Sequence, residues 1–146
     1  MALKDWVFDG RPVGPPAADA GLAVLRVVAF FLRVFLHGRR KVPPPEGFVG
    51  MVAGLGFPAP ELFAWLAAFA EFGGGSLLVL GLLSRPAALL LVVHFLQVVL
   101  IAHAGDSLGD RELPILFLTT ALMFLLTGPG RYSLDALING RRRSVG

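Results

Sequence analysis

The sequence predicts an all-α membrane protein, built as a four-transmembrane-helix bundle with an interfacial segment between helices 1 and 2. Two observations predict this class. The chain of 146 residues is 55% hydrophobic and only 16% charged, with a mean hydropathy of +0.74, whereas soluble domains carry about 25% charged residues. In addition, four apolar segments of roughly the length that crosses a bilayer follow one another along the chain.

The four spans are predicted at residues 20–38, 62–84, 86–105 and 113–130. The first span is the weakest by hydropathy because Arg26 and Arg33 interrupt it. The second is interrupted only by Glu71, and the third carries no formal charge. The short connection "GLLSRPAAL" between the second and third spans predicts that these two helices are antiparallel neighbours.

The segments around the spans differ in character. Residues 1–19 predict a polar, Pro-rich N-terminal tail, in which Trp6 and Phe8 can rest at the membrane interface. Between the first two spans, "GFVGMVAGLGFPAP" is short, apolar and Gly-rich, which favours an interfacial or re-entrant segment. Residues 20–138 are predicted to form the membrane domain, and residues 139–146 a basic tail.

The distribution of basic residues predicts an orientation. With four spans both termini lie on one side of the membrane, and that side carries more Lys and Arg than the other. The positive-inside rule therefore predicts that both termini are cytoplasmic.

Composition also excludes several classes of function. The chain has no cysteine, so it offers no disulfide, no thiolate metal ligand and no iron–sulfur ligand of its own. Its basic residues border apolar spans, where they suit anionic lipid headgroups. Because no basic groove with interleaved aromatic residues is evident, nucleic acid is not expected as a partner.

Charged residues within the spans are the candidates for function. At about 100° per residue, Arg26, Arg33 and His37 lie on one stripe of the first helix. Charges at bilayer depth are costly unless they face the bundle interior, so we expect this stripe to face the other helices. We predict a mid-membrane cluster of Arg26, Arg33, Glu71, His94 and Gln97, and an outer cluster of His37, Lys41, His103 and Glu112.

Each cluster allows two interpretations. An ion pair of Arg26 or Arg33 with Glu71 can simply fix the bundle, or the same groups can handle a ligand or protons. His37, His103 and Glu112 could exchange protons with a bound redox molecule. No metal site is predicted, since these three residues share no close motif, and a haem held by two histidines is disfavoured.

The chain from about Gly21 to Leu137 resembles the DoxX family of small four-helix membrane proteins. The resemblance rests on several short motifs. They are Arg26, the set of His37, Gly38 and Lys41, "LGFPAPEL" at 55–62, the pattern of Glu71, Gly74, Gly81 and Arg85, then His103, Glu112 and "GPGRYSLD" at 128–135. Arg33, His94 and the Pro-rich N-terminal tail depart from the common pattern.

The resemblance implies a membrane subunit associated with redox systems. By that analogy the chain is expected to be an anchoring or quinone-proximal subunit of an electron-transfer complex in a bacterial or archaeal cytoplasmic (inner) membrane. Quinone is the cofactor this implies, with His37, Glu71, His103 and Glu112 as proton-handling candidates and Arg26, Arg33, Lys41, His94 and Gln97 as cofactor-binding candidates. Without cysteine, the chain is not expected to perform redox chemistry alone.

Two alternatives stay open. The chain could be a purely structural accessory subunit of a larger respiratory or photosynthetic complex. It could instead be a small transporter or proton pathway, because intramembrane Arg, Glu and His residues also line such routes. Expected partners are the lipid membrane and either subunits of a redox complex or further copies of the chain.

Overall fold

The computed structural model describes residues 6–144, with side chains up to residue 140. Residues 1–5 and 145–146, parts of the predicted tails, lie outside this range. The principal helices are α1 (Pro16–Leu36), α2 (Glu46–Gly54), α3 (Pro60–Leu80), α4 (Ser84–Ala102), α5 (Leu108–Thr127) and α6 (Leu134–Ser144). The described residues contain no strand, so the predicted all-α class is confirmed.

The first helix begins four residues earlier than predicted. Pro16 occupies its first turn, where the missing N–H of proline costs nothing because that N–H has no partner within the helix. Asp19 follows in the same turn, where a carboxylate is favoured by the helix dipole. After Leu36, a 3₁₀ turn at Gly38–Lys41 carries the chain towards α3.

The bundle core lies between α1, α3, α4 and α5. Phe30 of α1 packs against Phe124 of α5 with ring centroids 6.1 Å apart. Leu78 of α3 and Leu91 of α4 complete this contact, and all four side chains are fully buried. The opposite face of α1 exposes large apolar side chains such as Val24, Val28 and Phe31, as expected for contact with lipid.

The predicted hairpin between the second and third spans is present. Helix α3 ends at Gly81, whose φ of 66° lies in the left-handed region that glycine favours. Only Gly81, Leu82 and Leu83 separate α3 from α4, and the two helices pack side by side.

Two helices contain a turn that hydropathy did not predict. Residues Ala70–Gly74 of α3 and Val98–Ala102 of α4 form π-helical turns. Such a turn bulges the backbone and shifts the face that the following residues present. Both turns lie beside the cavity described below.

Three helices are long and apolar enough to cross a membrane, among the residues that the structure describes. They are Pro16–Lys41, Pro60–Leu80 and Ser84–Ala102. Helix α5 has a comparable length, but Asp110, Arg111 and Glu112 lie at its start. The described chain is thus an all-α membrane protein.

The segments outside the spans are more ordered than predicted. The Gly-rich link forms the nine-residue helix α2, which packs against the start of α3. The N-terminal segment is not simply an extended tail, because Asp9 is buried at 3% exposure. The basic tail predicted at 139–146 continues helix α6 as far as Ser144.

Candidate functional site

Glu71 is the centre of a buried charged cluster. Its side chain is fully buried, and three basic groups from three different segments surround it. Its Oε1 accepts from Lys41 Nζ at 2.6 Å and from His94 Nε2 at 2.8 Å. Its Oε2 lies 2.9 Å from Arg33 Nη2. We refer to Arg33, Lys41, Glu71 and His94 as the Glu71 cluster.

Local backbone structure brings the cluster together. Glu71 lies in the π turn of α3, and Lys41 ends the 3₁₀ turn that follows α1. Between them, Gly38 approaches the backbone of α3 so closely that a Cβ on Gly38 would lie 3.2 Å from Phe72 Cα. Glycine at position 38 therefore lets the 3₁₀ turn pack directly on α3. At that distance the side chain of Lys41 reaches Glu71.

The guanidinium of Arg33 is held by aromatic rings as well as by charge. Its Cζ lies 5.0 Å from the ring centroid of Phe95 and 5.2 Å from that of Phe117. Both distances suit a cation–π interaction, which strengthens when the cation is shielded from water. Arg33 is only 8% exposed, and its buried Nε has no hydrogen-bond partner.

A cavity of about 370 Å³ opens beside the Glu71 cluster. All four residues of the cluster line it. The rest of the lining is mainly apolar and comes from α2, α3, α4 and α5, with contributions such as Phe48, Met51, Phe63, Ile101 and Leu113. An apolar chamber of this size with a few polar groups at one place is typical of a site for a small ligand.

The structure brings together only part of each predicted cluster. Arg33, Glu71, His94 and Gln97 of the mid-membrane set all line the cavity. From the outer set, Lys41 joins Glu71 instead of staying at the rim, and His103 also lines the cavity while bonding Asp106 Oδ2 at 2.7 Å. The outer set therefore does not form a single cluster.

His37 and Glu112 do not line the cavity. Both are exposed. Asp110, which was not among the predicted site residues, lines the cavity instead and accepts a hydrogen bond from Ser107 Oγ at 2.7 Å. The N-terminal turn of α5 could have indicated this residue, because Ser107 is a good N-cap and receives the N–H of Asp110.

Arg26 lies outside the mid-membrane cluster in which it was predicted. Its guanidinium donates to the carbonyl oxygens of Pro129 at 2.6 Å and Tyr132 at 2.8 Å. These acceptors belong to the "GPGRYSLD" segment after α5. Arg26 and Arg33 are seven residues apart, which is about 10 Å along a helix. The two guanidinium groups therefore bond partners at different heights along the bundle.

The same segment is tied to the ends of several helices. Arg131 Nε donates to Asp19 Oδ2 at 2.8 Å, which joins the end of the bundle to the start of α1. The carboxylate of Asp135, fully buried, accepts from the backbone N–H groups of Leu83 and Ser84 at 2.9 Å each. It therefore caps the N-terminus of α4.

The N-terminal segment adds a further ion pair at this end. Arg85 Nη2 donates to Asp9 Oδ2 at 2.8 Å, and Arg11 Nε donates to Asp9 Oδ1 at 2.7 Å. Hydrogen bonds from Arg11 and Arg85 lower the pKa of Asp9 below its ordinary value, against the effect of burial. The polar contacts at this end of the molecule join helices and loops to one another. The cavity lies elsewhere, beside the Glu71 cluster.

The described residues show no group of three His, Cys, Asp or Glu side chains that could hold a metal ion. The Glu71 cluster has one carboxylate facing an arginine, a lysine and a histidine. Such a set repels a cation and favours hydrogen-bond acceptors or anions.

The sequence model of the family described as DoxX matches residues 21–104. The inner membrane protein YphA of Escherichia coli (strain K12) is 31% identical over 128 residues, which cover 82% of this chain and 91% of YphA. The inner membrane protein YqjF of the same strain is 30% identical over 125 residues, covering 83% and 94%.

A mycobacterial protein is similar over nearly the whole chain. The uncharacterized membrane protein Rv3486 of Mycobacterium tuberculosis (strain H37Rv) is 32% identical over 161 aligned positions, covering 99% of this chain and 95% of Rv3486. No solved structure matches the chain.

Proposed function

The chain belongs to the DoxX family of bacterial membrane proteins, and from that premise we propose that it is a subunit of a quinone-linked electron-transfer complex. In this role it anchors the assembly in the membrane and receives a quinone in the cavity beside the Glu71 cluster. One observation carries the proposal: a cavity of about 370 Å³ joins an apolar chamber to a buried set of hydrogen-bond donors.

The chemistry of a quinone suits both parts of this cavity. A quinone ring is flat and apolar on its faces, and its carbonyl oxygens accept hydrogen bonds. Lys41 Nζ has three donor hydrogens, of which one serves Glu71. The side-chain amide of Gln97 lines the same cavity. An isoprenoid tail would contact side chains such as Met51, Ile101 and Leu113.

The proposal includes four membrane spans, with α5 as the fourth. After Glu112, α5 continues without a charged residue for fifteen positions to Thr127, about 22 Å at the helical rise. The end of α5 also bonds the start of α1, through Arg131 and Asp19. This contact favours placing both termini on one side of the membrane, which the distribution of basic residues assigns to the cytoplasm.

Quinone content of the purified protein tests the ligand. The protein is extracted from its host membrane in mild detergent, and quinone is quantified by solvent extraction and absorbance. Ala67 lines the cavity, so Ala67→Phe should fill it and reduce bound quinone to less than a tenth of the wild-type amount. The matched control is Ala53→Phe, at an exposed position on α2 that does not line the cavity. Equal quinone in all three proteins would contradict the proposal.

Mass spectrometry of the intact assembly tests the complex. Stoichiometric partners that carry redox groups are expected. A structural accessory subunit would keep such partners but hold no quinone. A transporter would purify alone or as a homo-oligomer, and substrate flux into vesicles would depend on Glu71.

A further inference from the structure

We infer that the occupant of the cavity carries a negatively charged oxygen on its head when bound, and that Lys41 is the residue that binds this charge. The inference rests on the proposed function only for the location of the site. It concerns the charge of the ligand, whereas the proposed function concerns its identity as a quinone.

The charge balance of the Glu71 cluster favours an anionic ligand. Arg33 and Lys41 are basic, and Glu71 is the one carboxylate seen to contact them among the described residues. The charges of Arg33, Lys41 and Glu71 add up to +1. Each member is at least three-quarters buried, since their side chains are 0% to 25% exposed, so water screens this excess charge poorly. A second anion would balance it.

The hydrogen-bond donors of Lys41 also favour an anionic ligand. Lys41 Nζ bonds Glu71 and otherwise lies 4.7 Å from the ring centroid of Phe48, which leaves donor hydrogens for a ligand. Hydrogen bonds from a cation to an oxyanion are about twice as strong as neutral ones.

Other charged groups of the cavity do not supply the missing anion. Asp110 also lines the cavity, but it is exposed at the start of α5 and already accepts from Ser107. Asp106 bonds His103 and is exposed. The excess positive charge therefore lies at the Glu71 cluster, and the negative groups lie at the exposed edge formed by the α4–α5 connection.

Two kinds of molecule offer this chemistry in a membrane. An acidic lipid such as a long-chain fatty acid carries a carboxylate on an apolar chain. A quinone gains a negatively charged oxygen when it accepts one electron without a proton and becomes an anionic semiquinone. The electron would come from a one-electron carrier in a partner subunit, and the charge would be stabilised by Lys41.

Binding of a matched pair of lipids tests the charge directly. Dissociation constants of palmitate and its uncharged methyl ester are measured by displacement of a fluorescent lipid from the purified protein in neutral detergent. If the occupant is an acidic lipid, the acid should bind roughly tenfold to a hundredfold more tightly than the ester, the range expected for a charge-assisted hydrogen bond.

A radical measurement tests the quinone source. A quinone is added to the protein and reduced stepwise with dithionite, and the semiquinone is detected by electron paramagnetic resonance. If the occupant is a quinone that binds as its one-electron anion, a radical signal should persist over an intermediate range of potential.

Three variants assign either effect to Lys41. Lys41→Gln removes the charge and should abolish the acid preference or the radical, whereas Lys41→Arg keeps the charge and should retain it. Arg40→Gln is the matched control, because it removes the same charge from an exposed neighbour that does not line the cavity. Melting of each variant in detergent shows that it is folded.

The outcomes separate this inference from the proposed function. Equal affinity for acid and ester together with no radical overturns the inference, as does an effect that survives in folded Lys41→Gln. If quinone then still purifies with wild type and not with Ala67→Phe, the proposed function stands alone. An acid preference without any bound quinone supports the inference and contradicts the quinone role.

Discussion

Asp135 shows how one residue can hold two helix ends. Its carboxylate accepts the N–H groups of Leu83 and Ser84, and its own N–H donates to the carbonyl of Gly81 at 2.9 Å. These contacts fix the hairpin between α3 and α4 from a residue more than fifty positions away in the sequence. Hydropathy identifies the hairpin but not its cap.

Asp135→Asn should destabilise the protein because the amide can accept only one of the two N–H groups and presents a donor to the other. Leaving a buried donor unpaired costs about 1–3 kcal/mol, a fall of roughly 3–12 °C in the melting temperature. The melting temperature is measured in detergent by circular dichroism. Asp106→Asn is the control, since Asp106 is exposed, and an equal fall in both variants would refute the capping role.

The ion pair between Arg33 and Glu71 should show strong coupling in a double-mutant cycle. Glu71→Gln leaves the buried Arg33 without the carboxylate that contacts it and should destabilise by about 3–5 kcal/mol. Arg33→Met leaves Glu71 bonded to Lys41 and His94 and should cost less. The double variant removes both charges and should cost less than the sum of the two, by about 1–3 kcal/mol. Melting temperatures of the four proteins give the coupling, and additive losses would mean that the pair is not a unit.

Residue patterns predicted which face of α1 is polar but not how its charges are shared. Arg26, Arg33 and Glu71 were placed together because they lie on facing stripes at similar depth. In the structure, the Pro129 and Tyr132 carbonyls accept from Arg26. The helical periodicity gives only the angle of a side chain around the helix axis. Which group a side chain bonds also depends on the path of the loops, and the periodicity does not predict that path.

At the scale of elements, the 3₁₀ turn and the π turn form a unit around Gly38. A side chain at position 38 would press on the backbone of Glu71 and Phe72, at 3.2–3.3 Å, and would push the 3₁₀ turn off α3. Lys41 would then be withdrawn from Glu71.

Gly38→Ala should therefore reduce ligand binding in the cavity by about tenfold or more, a loss of roughly 1.4 kcal/mol. The loss should appear in the same measurement of bound quinone or lipid. Gly47→Ala on α2 is the control, because nothing lies within 4 Å of a Cβ there, and alanine favours a helix over glycine. Unchanged binding in Gly38→Ala would show that the close approach is not needed.

The N-terminal segment should detach in acid. Hydrogen bonds from Arg11 and Arg85 place the pKa of folded Asp9 below the ordinary value of 3.8. The stability that Asp9 contributes is therefore complete above that ordinary value and is lost as the pH falls through the lowered one.

Trp6 can report this transition because its ring lies 5.8 Å from the guanidinium of Arg85. In a Trp65→Phe background, Trp6 is the only tryptophan. Its emission should stay constant from pH 7 to about pH 4 and change in stronger acid. With Asp9→Asn added, the changed emission should be present already at pH 7. A wild-type transition near neutral pH would exclude Asp9 as its origin.

Hydropathy predicted the helices well because apolar length is a property of each segment alone. The predicted hairpin after Leu80 follows from local sequence signals in the same way, whereas the Gly-rich link was predicted only as an interfacial or re-entrant segment and forms the helix α2. The π turns of α3 and α4 could not be predicted, because they arise where a helix adjusts to a neighbour. For the π turn of α3, the sequence offered only two local signals. These are the three glycines after Phe72 and the charged Glu71 within an apolar segment.

At the scale of the whole molecule, the structural contacts of the "GPGRYSLD" segment and the ligand cavity lie in different parts of the molecule. The ion pair of Asp19 with Arg131 and the separate hydrogen bonds of Arg26 and Asp135 close one end. The Glu71 cluster lies beside a chamber lined by residues of α1, α2, α3, α4 and α5. A molecule held together at one end can open or fill its chamber without loss of the bundle. This separation agrees with a role in ligand binding.

The number of spans decides where the chamber can be reached from, and single cysteines can measure it because the chain has no cysteine of its own. Pro12→Cys, Ser107→Cys and Gly140→Cys place one thiol before α1, one between α4 and α5, and one within α6. Labelling intact cells with a reagent that cannot cross the membrane reports the side of each thiol. Four spans with cytoplasmic termini predict that only the thiol at position 107 is labelled, because α5 then returns the chain to the side on which it began. If α5 does not cross, positions 107 and 140 share one side and are labelled together, opposite to position 12. That result would also be difficult to reconcile with the ion pair between Arg131 and Asp19, since it would set the end of α5 and the start of α1 on opposite faces of the bilayer.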